Sequence, residues 1–320
     1  MARRGGLAAV ALLFAALQAA AQDYPARPIR LVVGFPPGGA TDLVARLLQR
    51  PLAEFLGQEI VVDNRPGANG VIGAEATAKA APDGYTLHLG TMSALTLSPV
   101  IGKTGYDAFR DFTPLGRVVE LQNIFIAHPK LAVQDMRELI AYAKAKPGVL
   151  NYATSGAGGA GHLAGELLRN LAGIDIVHVP YKGGGPAMTD LLSGQVELFC
   201  AVISTAVPYV KQGRVRALAV TGAKRTAALP EVPTVAESGL RGYDSSAWYG
   251  LVGPAHLPKN VIERWEAALA AVLGRPEVRQ QLLERGIDVS PSSAAELAAY
   301  MRSESDKWVP LAKSLGLQSN

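Results

Sequence analysis

The chain has 320 residues, 49% of them apolar, and a formal net charge of +4. That length and composition suit a globular protein of about two domains, and exclude a disordered chain or a strongly basic nucleic-acid binder. A single cysteine, Cys200, excludes an internal disulfide, so the fold relies on its own core.

The N-terminus reads as a secretory signal peptide over residues 1–21. "MARR" supplies the positive end, "LAAVALLFAALQAAA" the apolar stretch, and Ala19 and Ala21 a small-x-small cleavage site. Cleavage removes Arg3 and Arg4 and leaves a charge of about +2. No cysteine stands at the cleavage point to carry a lipid. A periplasmic location is expected, and no nucleic-acid partner.

Strands and helices then alternate. "IRLVVGF" is a strand, "TDLVARLLQRPLAEFLG" a helix that Pro51 kinks or splits, "EIVVDN" a strand and "VIGAEATAKAA" a helix. "PDGYTLHLGT" turns into a strand. "LGRVVELQNIFIAHP" is a long strand with an irregularity near Gln122 and Asn123. "VQDMRELIAYAKA" is a helix with capping-box spacing at Asp135 and Glu138. "VLNYATS", "DIVHVPY", "QVELFCAVIS" and "RVRALAVTG" are strands separated by the helices "GHLAGELLRNLAG", "GPAMTDLLSG" and "AVPYVKQG". After "SAWYGLVGP" only helices are expected, the last capped by Ser293 and Glu296. This alternation predicts an α/β fold with a mainly parallel sheet. The helical tail is expected to pack back onto the first section.

Several motifs resemble catalytic signatures without meeting them. "GAGGAG" (156–161) matches G-x-G-x-x-G, but the following strand ends without the acidic residue that holds a ribose hydroxyl. "IGKT" lacks the first glycine of a P-loop, since Leu97 stands there. Ser155 lies in "ATSGA" and not in G-x-S-x-G; its hydroxyl suits a cap or a ligand contact better than a nucleophile. The five histidines have no metal-ligand spacing. No metal, cofactor or catalytic residue is expected.

Four glycine-rich loops do share one pattern, each at the C-terminal end of a strand. "FPPGGATD" offers Phe35, Pro36, Gly38 and Gly39, and "GTMSA" offers Thr91 and Ser93. "TSGAGGAGH" offers Thr154, Ser155, Gly156, Gly158 and His162, and "VPYKGGGPA" offers Lys182 and Gly183. Ligands bind at such strand ends in open α/β sheets. Two loops from each section predict an interdomain cleft lined by amide donors at helix N-termini. Asp42 and Lys182 serve either the ligand or the structure; Phe35 lies either over the ligand or in the core. Loops rich in donors and poor in acids and bases suit holding an anion more than acid–base chemistry.

"YPARPIRLVVGFPPGGATDLVAR", "VVDNRPGANGVIGAEATAKAAPDGYTL", "NYATSGAGGAGHLAGELL", "VHVPYKGGGPAMTDLLSGQVEL", "GRVRALAVTGAKRTAALPEVPTVAESG" and "WYGLVGP" together resemble the Bug family, the exported, TctC-like solute-binding components of tripartite tricarboxylate transporters. The resemblance covers nearly the whole mature chain. It implies a type II periplasmic-binding-protein fold: two α/β domains joined by two crossover strands around a ligand cleft. Domain 1 would take residues 22–124 and 237–320, and domain 2 residues 125–236. The resemblance implies a monomer that binds a small carboxylate without transforming it and passes it to membrane permease subunits. A sensory protein serving a membrane kinase would look the same, and a hydrolase using Ser155 and His162 is the further alternative. Many members carry an acid in the strand matching "VELFCAVIS"; here it is apolar around Cys200. That departure favours an organic acid, aromatic ones included, over an amino acid.

Overall fold

The computed structural model describes residues 24–102 and 104–314; the expected signal peptide lies outside the described residues. The apolar run β1 (Ile29–Val33) feeds helix α1 (Ala40–Leu56). Val44, Leu48, Leu52 and Leu56 bury one stripe of α1. Pro51 sits inside α1 without splitting it; burial of Leu48, Leu52 and Leu56 around it outweighs the one lost backbone bond. β2 (Ile60–Asn64), a single-turn 3₁₀ segment (Ala68–Gly70), α2 (Val71–Ala78) and β3 (Thr86–Thr91) follow. After β3 come a π-helical turn (Ser93–Leu97) and the short α3 (Ser98–Ile101), which the sequence pattern did not announce.

The long strand β4 (Phe112–Ala127) leads to α4 (Met136–Ala145), β5 (Asn151–Thr154), α5 (Ala160–Ala172), β6 (Val177–Pro180) and α6 (Gly184–Ser193). Then come β7 (Leu198–Val202), α7 (Ile203–Lys211), β8 (Arg216–Val220) and β9 (Ser246–Pro254). Helices α8 (Lys259–Leu273) and α9 (Pro276–Leu283), strand β10 (Ile287–Val289) and helix α10 (Ala294–Ser314) complete the chain. The expected box at Ser293 and Glu296 closes, with bonds of 3.2 and 2.8 Å, whereas at Asp135 only the cap forms, accepting from the Glu138 N–H at 2.8 Å, while the Glu138 carboxylate accepts from Gln134 N–H one residue earlier.

The strands follow the order β2-β1-β3-β9-β4-β7-β5-β6, with β8 and β10 also on β4. β1, β2 and β3 are parallel to one another, as β5 is to β6 and β7. β4 and β9 run antiparallel between these two sets. The sheet is therefore parallel only at its flanks, which corrects the mainly parallel expectation; strand–helix alternation says nothing about the two strands that cross between sets.

The irregularity expected in β4 is a change of partner. Residues up to Gln122 pair with β9, and residues from Asn123 pair with β7 and β8. The register shifts lie elsewhere, at Pro114/Gly116 and Arg117/Val119 against β9 and at Phe125/Ile126 against β8. A second link runs beside the first: Thr221 exchanges backbone contacts with Asn123 and Ser245 just before β9 begins.

Each half of the sheet carries two buried clusters. In the first half, Val44, Leu48 and Leu52 of α1 meet Trp265, Leu269 and Leu282 of the tail. On the opposite face Met301 and Trp308 of α10 pack with Trp248 and Leu95. The helical tail thus completes the first lobe. The expectation of helices alone after β9 fails at β10, which pairs with Val119–Leu121 of β4. Three residues are too few to register as a strand by periodicity. Tyr152, Leu168, Val235 and Tyr243 belong to a third cluster, and Phe199, Ile124 and Val207 to a fourth.

Candidate ligand cleft

Four helix N-termini converge between the lobes. The N-cap residues Gly39 (α1), Gly159 (α5), Gly183 (α6) and Val202 (α7) all line one cleft, and none has a side-chain cap. Each first turn therefore keeps free N–H groups and the positive end of its dipole. The cleft and its opening to solvent together span about 780 Å³ free of protein atoms. Among the described residues lining it there is no Asp, Glu, Lys, Arg or His.

Local packing explains how each terminus is aimed. Asp42, in the first turn of α1, is 2% exposed and accepts from Gly38 N–H, Arg46 Nε and Asn64 Nδ2, each at 2.9 Å. Burial works against its charge, but these bonds hold the carboxyl below its ordinary pKa. Asp42 is thus the structural pin of the "FPPGGATD" loop. Gly161 brings α5 onto β7: a β-carbon there would stand 2.6 Å from the Cys200 carbonyl oxygen. The lobes touch across the cleft. A β-carbon on Gly183 would stand 3.3 Å from Pro36 Cδ, and one on Gly156 would stand 3.2 Å from Asn69 Oδ1.

Of the residues expected from sequence, Phe35, Pro36, Gly39, Thr91, Ser93, Ser155, Gly156 and Gly183 line this cleft together. Phe35 lines the cleft and also packs against the first core. Lys182 lies outside, at an adjoining mouth it shares with Tyr181 and Asn69.

Thr154, Gly158 and His162 stand buried behind the wall, whereas Gly38 is exposed and outside the lining. Thr154 is fully buried and its Oγ1 meets His178 Nε2 at 2.7 Å. Gly158 donates its N–H to His162 Nδ1 at 3.0 Å, and the His162 ring stacks on His178 with centroids 3.8 Å apart. His162 Nε2 faces Glu166 at 3.8 Å, and Glu166 also accepts from Tyr152 and Arg169. Both ring nitrogens of His162 are thus turned to its own lobe, and the Ser155–His162 pairing of a hydrolase does not form. Burial is the main reason both imidazoles stay neutral: it lowers the His162 pKa and takes His178 down to about 3.

Sequence reasoning missed Asn69, Asn123, Thr205, Trp248 and Tyr249, all in the lining. Asn69 takes a left-handed conformation (φ 55°) in "RPGANG", a turn signal that could have marked it. Asn123 was visible only as a polar residue interrupting an apolar strand. The π-turn after Thr91 had no signal, and neither did the aromatic pair on β9.

Such a fold, two lobes crossed by two strands with uncapped helix ends between them, defines a periplasmic-type solute-binding protein. A family model described as "Tripartite tricarboxylate transporter family receptor" matches residues 44–317, and the chain belongs to that family. It is 36% identical to the protein BugT of Bordetella pertussis over 301 residues, covering 92% of this chain and 91% of BugT. Among solved structures, R. palustris Rpa4515 with adipate superposes with a TM-score of 0.89 at 35% identity, covering 92% of this chain and 99% of that one. MatC (Rpa3494) from Rhodopseudomonas palustris with bound malate gives 0.84 at 33% identity, covering 90% and 99%. The fold and the Bug-type membership expected from the motifs therefore hold. Among the described residues no helix is long and apolar enough to cross a membrane.

Proposed function

We infer that the protein captures a small carboxylate in the periplasm and hands it to the membrane subunits of a tripartite transporter, without chemistry. The observation that carries this reading is the set of four uncapped helix N-termini around a cleft that, among the described residues, no charged side chain lines. Amide dipoles stabilise a carboxylate there, and no acid–base pair is in place to transform it. Relatives holding adipate and malate support the same ligand class.

We take the first lobe as residues 24–122 with 246–314, and the second as 123–245. This follows the partner change in β4 and the membership of Val235 and Tyr243 in the second lobe's core. Closure bends the two crossing segments at Asn123 and Ser245, and a monomer suffices for it.

The test is a thermal-shift panel on exported chain stripped of bound ligand by denaturation and refolding. A carboxylate at about 100 times its Kd should add roughly 2.7 kcal/mol. Stabilisation by one carboxylate class and none by NAD is the expected result. No stabilisation by mono-, di- or tricarboxylates would sink the reading.

A further inference from the structure

Gln122 and Asn123 are neighbours on β4 and point to opposite faces of the sheet. Gln122 is fully served: its Nε2 donates to Lys224 O at 2.9 Å and its Oε1 accepts from Gly222 N–H at 3.1 Å. The Asn123 backbone is equally well held, donating to Thr221 Oγ1 and accepting from Thr221 N–H, both at 2.9 Å. Its side chain is not. Asn123 is 0% exposed at the cleft floor, and no protein group meets either Oδ1 or Nδ2. Among the described residues it is the one side chain with two buried, unpartnered polar atoms.

An apolar side chain here, in the same cleft lining as Val202 and Ala247, would avoid this desolvation cost. A carboxamide kept there has a partner to meet. Nδ2 is satisfied by a carboxylate oxygen, but Oδ1 demands a donor, and an ionised carboxylate has none. Exchanging the two terminal atoms leaves the same demand. An ammonium group is disfavoured, because no acidic side chain lines the cleft to accompany it. The remaining donors are neutral.

We propose that Asn123 is a specificity-determining residue, and that the ligand carries a hydroxyl or a primary amide beside its carboxylate. The proposal rests on the carboxylate-receptor reading and narrows it.

Calorimetric titration with two series tests it: succinate against malate and succinamate, and adipate against 6-hydroxyhexanoate and adipamate. In at least one series a donor-bearing acid should bind tenfold or more tighter than its donor-free counterpart. Asn123→Leu should bring that ratio within threefold by weakening the donor-bearing acid alone. Ratios within threefold in both series for the unaltered chain would overturn the proposal, whether or not the variant folds, and leave the receptor reading standing. A tenfold ratio that survives Asn123→Leu would also overturn it. No binding by any of the six acids would overturn this proposal, and the thermal-shift panel would then decide the receptor reading.

Discussion

Ser155 lies between the N-termini of α5 and α6, half-buried in the cleft wall. Its hydroxyl is a neutral donor whose removal leaves the fold intact and the anion one bond short. Ser155→Ala is predicted to weaken binding by about 1.5–3 kcal/mol while unfolding stability stays within about 0.5 kcal/mol. Titration calorimetry and urea denaturation measure the two; an unchanged Kd removes Ser155 from the site. Behind that wall the histidines make a different prediction. Burial lowers the pKa of His88 to about 4, of His178 to about 3, and of His162 as well. A base with a depressed folded pKa contributes its full stability above its unfolded pKa, near 6.5, and loses it as the pH falls from there toward the folded value. The melting midpoint should therefore fall between about pH 6.5 and 4.5, before ordinary carboxylates titrate. Each histidine contributes at most about 1.4 kcal/mol per pH unit. His178→Asn should flatten that slope; a midpoint level across this range would contradict the assignment.

Helix α5 presents its N-terminus to the cleft only because Gly161 lets its first turn rest on β7. A methyl group there would press on the Cys200 carbonyl, which is backbone and has little room to move. Gly161→Ala is predicted to cost about 1–3 kcal/mol of stability and to weaken binding, because the shifted turn carries Gly159 and Ala160 away from the cleft. Denaturant unfolding with calorimetry checks both; a variant with unchanged affinity would show that the α5 terminus does not touch the ligand. At this scale much was legible in the sequence. Strands ending in glycine clusters announced three of the four helix termini, because glycine both turns the chain and leaves N–H groups open. The α7 terminus escaped, since Val202 ends an apolar run without a turn signal. His162 was drawn into the site by its place beside "GAGGAG", yet the helical turn carries it inward to Glu166 and His178. Asn123 escaped for the opposite reason: one polar residue in a buried strand reads as an irregularity until its unmet partners are seen.

At the scale of the whole molecule, two crossing segments and a shared cleft make closure the natural motion. Cys200 reports on opening of the second lobe, which ligand capture opposes. Cys200 is 1% exposed, its side chain packed in the second lobe's core with Tyr152 and Tyr243, and burial pushes its pKa well up. Iodoacetamide should label it only through an opened form, and a bound carboxylate should slow labelling in proportion to its occupancy; mass spectrometry reads the rate. Labelling indifferent to a saturating ligand would mean that the second lobe opens without releasing the ligand. The absence of charged side chains from the described cleft lining carries one more consequence. With Lys182 the one charged side chain at the adjoining mouth among the described residues, capture gains little from long-range steering, so the association rate should stay far below the electrostatically assisted limit. The binding constant should then barely change between low and high ionic strength, because amide dipoles act at contact and a screened atmosphere of counterions has nothing to displace. Such a receptor works alike in dilute and in briny surroundings.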